Sequence, residues 1–349
     1  MFSVTRLFRL GIRFAAWATP HVKEWHRQRN LNVAEAERHI SSRNWSEAEN
    51  YLCLALNESR HSAKRRMELM LQLAETRRRQ AKLDQAAETA QATGELAAQS
   101  HDQAMRSRAL AALADVQLDQ KKFAEAEQTI REVEAIENSR GGSDRALLAQ
   151  CSQKLGTALL QTGRNEEAFA AFQQAATLSE QAFGPNHEQT ARSLSQLGAL
   201  HRQHGDHEEA QRSLRRALEI HRTASGAHSN ESTEALYHLA ASLEEAGDIQ
   251  AATEEYERML RLKERQVGGN RDETTAVQVR LAALSVTAGR IGAARELLTQ
   301  AIGLLERKGG PLFAEALEVF ADVEDHMGHP TEAKQWRERA AEIYAAKSS

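Results

Sequence analysis

Apolar and polar positions along most of the chain follow the three-to-four-residue spacing of amphipathic helices, and the helical segments come in pairs. A glycine separates the two members of a pair four times in succession, at Gly163, Gly205, Gly247 and Gly289, with 42 residues from one to the next. Glycine reaches left-handed backbone angles without a Cβ clash, which is typical of a tight turn. No period-two runs of β-branched residues occur, so the pattern predicts an all-α protein of helix–turn–helix repeats.

An alanine stands five residues after each of these glycines, and the same alanine recurs in both directions along the chain. The eight positions are Ala48, Ala86, Ala126, Ala168, Ala210, Ala252, Ala294 and Ala333. The corresponding turn positions are Arg43, Ala81, Lys121, Gly163, Gly205, Gly247, Gly289 and Gly328. So small a side chain lets two helices approach closely, and we expect such a contact in every repeat. The spacing therefore predicts about eight repeats over residues 30–349, with a capping box at Ser46-Glu47-Ala48-Glu49 opening the second helix of the first.

The pattern resembles the tetratricopeptide repeat. Leu155-Gly156 matches the Leu-Gly pair of that repeat, and Ala168-x3-Phe172 matches its Ala-x3-aromatic element. The 42-residue spacing is similar to the kinesin light chain variety, although Ser195-Gln196 and Tyr237-His238 stand where kinesin light chains have asparagines. The resemblance implies a right-handed superhelical solenoid, with the first helix of each repeat on the concave wall and the second helix outside.

The same resemblance implies that the concave wall is a groove for a peptide or a segment of a partner protein. The residues expected to line it, by offset from the turns, are Arg78, Arg79, Gln150, Gln153, Thr157, Gln161, Arg192, Ser195, Arg202, Gln203, Glu234, Tyr237, Glu244 and Glu245. The wall changes from basic to acidic along its length. We therefore expect a bound segment to be oriented by this change of sign, with its acidic part near repeats four and five.

Residues 1–29 differ in composition from the rest of the chain, because they contain six Lys or Arg residues and one acid, Glu24. On a helical wheel Arg6, Arg9 and Arg13 share one side, and apolar residues occupy much of the other. Three interpretations fit: an interfacial helix on an anionic membrane, a helix that caps the first repeat, or an Arg-rich targeting peptide. The first would make the protein a membrane-surface assembly factor. The segment is too short for a transmembrane span, and Arg13 interrupts the apolar run that a signal peptide needs.

The sequence contains none of the common catalytic or nucleotide-binding motifs. The chain has no G-x-S-x-G, no P-loop and no H-E-x-x-H, so we expect no catalytic residues and no cofactor. Cys53 and Cys151 lie far apart without metal-type spacing, which favours a reducing, cytoplasmic compartment. These observations favour a non-enzymatic scaffold or adaptor.

Two local patterns are candidates for other kinds of binding site. His201-x2-His204-x2-His207 has imidazoles at a metal-compatible spacing, but His201 falls at the inward position of its repeat and His207 lies beyond the turn glycine. Structural or solvated histidines are therefore the favoured interpretation. Arg77-Arg78-Arg79 could contact phosphates, yet no base-stacking aromatic residues surround it, so nucleic-acid binding is disfavoured.

Overall fold

The computed structural model describes residues 31–57, 61–224, 230–265 and 271–348. Every regular element within these ranges is an α-helix, which confirms the all-α fold. The helices are α1 (31–41), α2 (Trp45–Asn57), α3 (Ala63–Arg79), α4 (Leu83–Gln99), α5 (Gln103–Asp119), α6 (Phe123–Ser139), α7 (Arg145–Gln161), α8 (Asn165–Phe183), α9 (Glu188–His204), α10 (His207–Ala224), α11 (Asn230–Glu245), α12 (Ile249–Arg265), α13 (Arg271–Thr287), α14 (Ile291–Leu305), α15 (Pro311–His326) and α16 (Pro330–Ser348).

Tight turns join the two helices of each pair, and all eight turn positions have positive φ. The values are 57° at Arg43, 59° at Ala81, 60° at Lys121, 76° at Gly163, 85° at Gly205, 84° at Gly247, 72° at Gly289 and 83° at Gly328. At Gly205 the amide donates to the carbonyl of Arg202 at 3.0 Å, and the amide of Asp206 donates to the carbonyl of His201 at 2.9 Å. This is the Schellman arrangement, which satisfies the last carbonyls of the first helix.

The eight repeat alanines are all 0% exposed, which confirms that each lies in a helix–helix contact. The Leu-Gly pair has a matching reason. A Cβ added to Gly156 of α7 would lie 2.5 Å from the ring of Phe172 in α8. A Cβ added to Gly198 of α9 would lie 2.6 Å from Cγ of Leu214 in α10. The first helix therefore needs glycine where the second helix presents a large apolar side chain.

Second helices within each unit pack against the first helix of the following pair. Such contacts join α2 to α3, α4 to α5, α6 to α7, α10 to α11, α12 to α13 and α14 to α15. In the region from α10 to α13, Leu214, Leu236, Tyr256 and Leu281 belong to one apolar core. No pair buries its apolar faces alone, as expected of stacked repeats.

The chain divides into two compact units, Met1–Leu178 and Ser179–Ser349, and the division falls within α8. They are called unit 1 and unit 2 below. A single solenoid domain over residues 30–349 stays a prediction.

Candidate functional site

The first helices of neighbouring pairs contact each other within each unit. In unit 1, α3 contacts α5 and α5 contacts α7, and in unit 2, α9 contacts α11 and α13 contacts α15. We call the solvent-facing side of these helices the first-helix wall. All fourteen candidate groove residues lie on α3, α7, α9 or α11.

In unit 1, Arg78 is held by carboxylates from two first helices. Its Nε and Nη2 donate to Glu75 of the same helix at 2.8 and 3.0 Å, and its Nη1 donates to Asp119 of α5 at 2.9 Å. Arg79 donates to Glu75 at 2.6 Å. Burial opposes ionisation of Glu75, but the hydrogen bonds from the two arginines outweigh it and lower the pKa of that carboxyl. The basic end of the wall is therefore neutralised internally, although the Arg79 side chain remains 55% exposed.

The candidate residues on α7 are uncharged. Gln150, Thr157 and Gln161 are exposed and Gln153 is half-buried. Lys154, which follows Gln153 in the sequence, is paired: its Nζ lies 2.7 Å from Oδ1 of Asp115 in α5. Amide and hydroxyl groups both donate and accept hydrogen bonds, so this row can pair with a peptide backbone in either direction.

In unit 2, the two candidate arginines of α9 pair with acids of α11. The Nη2 of Arg192 donates to Glu231 at 3.0 Å and to Glu188 at 2.9 Å, and the Nη1 of Arg202 donates to Glu245 at 2.5 Å. The opposite charges of α9 and α11 thus neutralise each other across the wall. Arg192, Arg202 and Glu245 are therefore already paired within the wall, and the orientation of a bound segment by the change of sign stays a prediction.

Tyr237 is an exposed aromatic side chain on α11, at 41% exposure. Its ring packs edge-on against Tyr256, with 6.3 Å between the ring centroids. The Tyr256 hydroxyl donates to Glu244 at 3.3 Å, and Glu244 also accepts from Nε of Arg280 at 3.2 Å. Burial raises the pKa of Tyr256, so this hydroxyl keeps its proton and acts as a donor. Tyr237 therefore stands on a buried, hydrogen-bonded support.

Three further candidates on α9 and α11 have different surroundings. Gln203 and Glu234 are exposed. Ser195 is only 7% exposed, and its buried Oγ has no hydrogen-bond partner among the residues that the structure describes. Ser195 therefore departs from the expectation that it lines the groove, because helix packing covers it.

Sequence reasoning missed His238, the residue after Tyr237. Burial and the nearby Arg202 lower the pKa of His238 to about 4, although Glu245 opposes the shift. Its Nδ1 is buried and finds no hydrogen-bond partner in the described ranges. The imidazole is consequently neutral at pH 7 and lies close enough to Arg202 and Glu245 to feel both charges. Helical periodicity, which turns each residue 100° from the one before, is the signal that could have placed it inside.

The histidines considered as metal ligands pair with separate carboxylates. Nδ1 of His201 lies 3.4 Å from Asp206, and Nδ1 of His207 lies 3.9 Å from Glu245. Across the described parts of the chain, no three metal-ligating side chains come together.

Residues 145–223, which hold nearly all of α7 to α10, match the family model of the tetratricopeptide repeat. Residues 145–223 are therefore a segment of tetratricopeptide repeats. No curated protein sequence matches the chain. The match covers the two pairs in which Gly156 and Gly198 leave room for a large side chain of the facing helix.

Several solved structures share the fold at low sequence identity. A putative kinesin light chain from Podosopora anserina is 19% identical, with 59% of this chain and 98% of that chain covered and a TM-score of 0.51. A signal transduction ATPase with numerous domains and a tetratricopeptide repeat sensor, from Pyrococcus horikoshii, is 14% identical, with 90% and 46% covered and a TM-score of 0.68. The apo quorum sensor NprR from B. thuringiensis is 12% identical, with 98% and 95% covered and a TM-score of 0.58.

Within the described ranges, none of the helices is long and apolar enough to cross a bilayer. Residues 1–29, for which the sequence predicts an amphipathic helix, lie outside those ranges. Cys53 and Cys151 are both free thiols, and burial raises the pKa of Cys151 to about 12, so that thiol stays protonated.

Proposed function

We propose that this protein is a non-enzymatic, cytoplasmic scaffold or adaptor that binds an extended or helical segment of another protein along its first-helix wall. The contact residues we assign to that role are Arg79, Gln150, Gln153, Thr157, Gln161, Gln203, Glu234 and Tyr237. The paired residues Arg78, Arg192, Arg202, Glu244 and Glu245 shape the wall and hold its helices together.

The observation that carries this proposal is the internal pairing of charges on the wall. Arg202 bonds to Glu245 and Arg78 bonds to Asp119, so these side chains are fixed before any partner arrives. Binding to a surface already held in place loses less conformational entropy than binding to one that must be ordered. The candidate residues that remain exposed on α7 are uncharged, which favours a segment recognised by its backbone and by polar side chains.

In unit 2, Tyr237 is the anchor we expect to contribute most. Exposed tyrosines with a rigid support bring a large contact area at little entropic cost, and they are enriched among the residues that dominate binding energies. The contact of Tyr237 with Tyr256 limits its ring to few orientations. Gln203 and Glu234 then supply hydrogen bonds nearby.

The decisive experiment is quantitative affinity capture with the intact chain and two matched variants. Tyr237→Ala removes the anchor, whereas Tyr344→Ala removes a tyrosine of similar exposure, 39%, from the last helix. We expect a partner whose affinity falls at least about tenfold with Tyr237→Ala and stays unchanged with Tyr344→Ala, since the residues that dominate an interface cost about 2 kcal/mol or more when truncated.

Equal binding by both variants would place the partner elsewhere on the molecule. Reversing Arg192 and Arg202 to glutamate is a less clean test, because each new carboxylate would face Glu231 or Glu245 and weaken unit 2 itself. A circular dichroism melt of each variant separates loss of binding from loss of fold.

A second candidate role is favoured by the six bases and one acid of residues 1–29. In this role the segment holds the protein on an anionic membrane surface, where each basic residue contributes about 1 kcal/mol near the surface. Flotation of the full chain with phosphatidylserine vesicles at low salt tests it, and a chain lacking residues 1–29 is the control. Absence of full-length chain from the floated fraction would reject this role and leave the scaffold proposal intact.

A further inference from the structure

A groove of about 440 Å³ lies on the side of unit 1 opposite the first-helix wall. It runs between the second helices α4 and α6, above α5. Its floor includes Leu110 and Leu113, both half-buried, together with Gly94 and Ala98. The small residues of α4 leave room for an incoming side chain, so the groove can accept an apolar helix face.

The rim of this groove is acidic. Glu95, Glu125 and Glu132 line it, and the basic residue of the lining, Arg106, already donates to Glu132 at 2.5 Å. The buried Oε1 of Gln117, which also lines the groove, accepts no hydrogen bond from the described part of the chain. An apolar floor with excess negative charge at its edges is complementary to a basic, amphipathic helix.

A neighbouring groove shows that this charge is not a general property of the repeat. It lies between α2, α3 and α4, and its lining contains one base, Arg66, and one acid, Glu88. The two grooves therefore share an architecture but differ in net charge, and the acidic groove is the one suited to a basic occupant.

We propose that the acidic groove between α4 and α6 binds residues 1–29 of the same chain. Their sequence has the required chemistry, with Arg6, Arg9 and Arg13 at helical spacing and Leu7, Leu10 and Phe14 beside them. The apolar residues contact Leu110 and Leu113, and the long arginine side chains reach the rim carboxylates while their stems cover the floor. This contact is separate from the first-helix wall, and because it uses the same residues that would face a membrane, the two contacts of residues 1–29 exclude each other.

The length of chain between residue 14 and α1 is sufficient for this contact. The two helices of a pair run in opposite directions, so the start of each first helix and the end of each second helix lie at the same end of the unit. Glu95 and Ala98 are near the end of α4, and Arg106 is near the start of α5. The groove is therefore about two repeats, or roughly 20 Å, from the start of α1. Sixteen extended residues span about 50 Å, which exceeds that distance.

Photo-cross-linking of the full chain tests the proposal. A p-benzoylphenylalanine at the exposed position Gln128 samples the acidic groove, and one at the exposed position Arg66 samples the neighbouring groove. We expect cross-links from position 128 to residues 1–29 within a monomer, at a yield at least fivefold above that from position 66. Glu95→Lys with Glu125→Lys should lower the yield at least fivefold, because it reverses the rim while leaving the Arg106–Glu132 pair in place.

The matched control is Glu166→Lys with Glu296→Lys, which reverses two exposed acids on the second helices α8 and α14 outside the groove. This control should leave the yield unchanged. Adding Arg6→Glu, Arg9→Glu and Arg13→Glu to the rim reversal should restore cross-linking. Cross-linked dimers would overturn the proposal in favour of a second copy. Preferential cross-linking from position 66, or a yield indifferent to rim reversal, would overturn it in favour of a cap on the first repeat or a free segment.

Discussion

Unit 1 and unit 2 build the same turn from different residues. The first three turns of unit 1 place Arg43, Ala81 and Lys121 at φ values of 57° to 60°, whereas unit 2 has glycine at every turn position. At Lys121 the amide still donates to the carbonyl of Leu118 at 2.9 Å, as the amide of Gly205 donates to Arg202. A left-handed residue with a Cβ costs roughly 1–2 kcal/mol. Repeat packing therefore imposes the geometry, and unit 1 carries a strain that unit 2 avoids.

The units also differ in their buried histidines. In unit 2, His221 is 0% exposed, and neither of its ring nitrogens is hydrogen-bonded to a described residue. His238 is half-buried, and its Nδ1 is enclosed. Burial lowers the pKa of both. Among the described histidines of unit 1 none is fully buried. Unit 1 thus carries backbone strain that is indifferent to pH, while unit 2 carries imidazoles that resist protonation.

The largest expected effect tests what the two units share. Ala210→Phe should lower the free energy of unfolding of unit 2 by about 3 kcal/mol, because Ala210 is 0% exposed and overpacking a core contact typically costs about 1–3 kcal/mol. Ala126→Phe should do the same in unit 1. Urea denaturation measured by circular dichroism gives both values. An unchanged midpoint for either variant would mean that the repeat register is wrong in that unit.

A smaller effect should appear only in unit 2, on acidification. The folded-state pKa of His238 is about 4, below the usual 6.5. The contribution of the neutral imidazole to the stability of unit 2 is therefore complete above pH 6.5 and is lost as the pH falls towards 4. Between pH 7 and pH 5 the loss is on the order of 2 kcal/mol, and His221 adds to it in the same direction. His238→Gln should reduce the loss, as measured by hydrogen exchange of unit 2 at both pH values.

Hydrogen exchange of unit 1 in the same samples provides the control for that measurement, and His238→Gln should leave it unchanged. An equally steep loss of protection in the His238→Gln variant would show that other groups govern the acid response.

The smallest expected effect addresses the turns directly. Ala81→Gly relieves a left-handed residue and should raise the unfolding free energy by about 1 kcal/mol, whereas Gly205→Ala introduces that strain and should lower it by roughly 1–2 kcal/mol. Thermal melts of the two variants provide the comparison. Changes of the same sign in both would contradict the idea that the turns differ only in strain.

Local signals in the sequence predict the repeat but not its surface. The 42-residue period and the alanine five residues after each turn depend on spacing alone, and the structure has Ala48 and Ala333 at 0% exposure like the others. The turns at Arg43, Ala81 and Lys121 lack glycine, and only their distance from the repeat alanine identifies them in the sequence. The capping box is wrong: α2 begins at Trp45, and it is Asn44 that accepts from the amide of Glu47, at 3.5 Å.

The pairing of charges on the wall could not be read from the sequence in the same way. Arg202 and Glu245 are 43 residues apart, and their contact depends on how α9 and α11 are rotated against each other. A rotation of a few tens of degrees also decides whether Ser195 lines the wall or is buried. Offsets from a turn predict which helix carries a residue more reliably than they predict its direction.

The ion pairs between first helices have a consequence for how far a disturbance spreads. In a stacked array, the size of the region that opens together depends on the coupling between adjacent members. Here the coupling between adjacent repeats has two parts. Ion pairs such as Arg202 with Glu245 and Arg280 with Glu244 form the part that salt can weaken. Apolar packing forms the part that salt does not screen. Raising the ionic strength from 0.15 M to 1 M shortens the Debye length from about 8 Å to about 3 Å. We therefore expect higher ionic strength to shrink the region that opens together, from a whole unit in dilute buffer towards single helix pairs in concentrated salt.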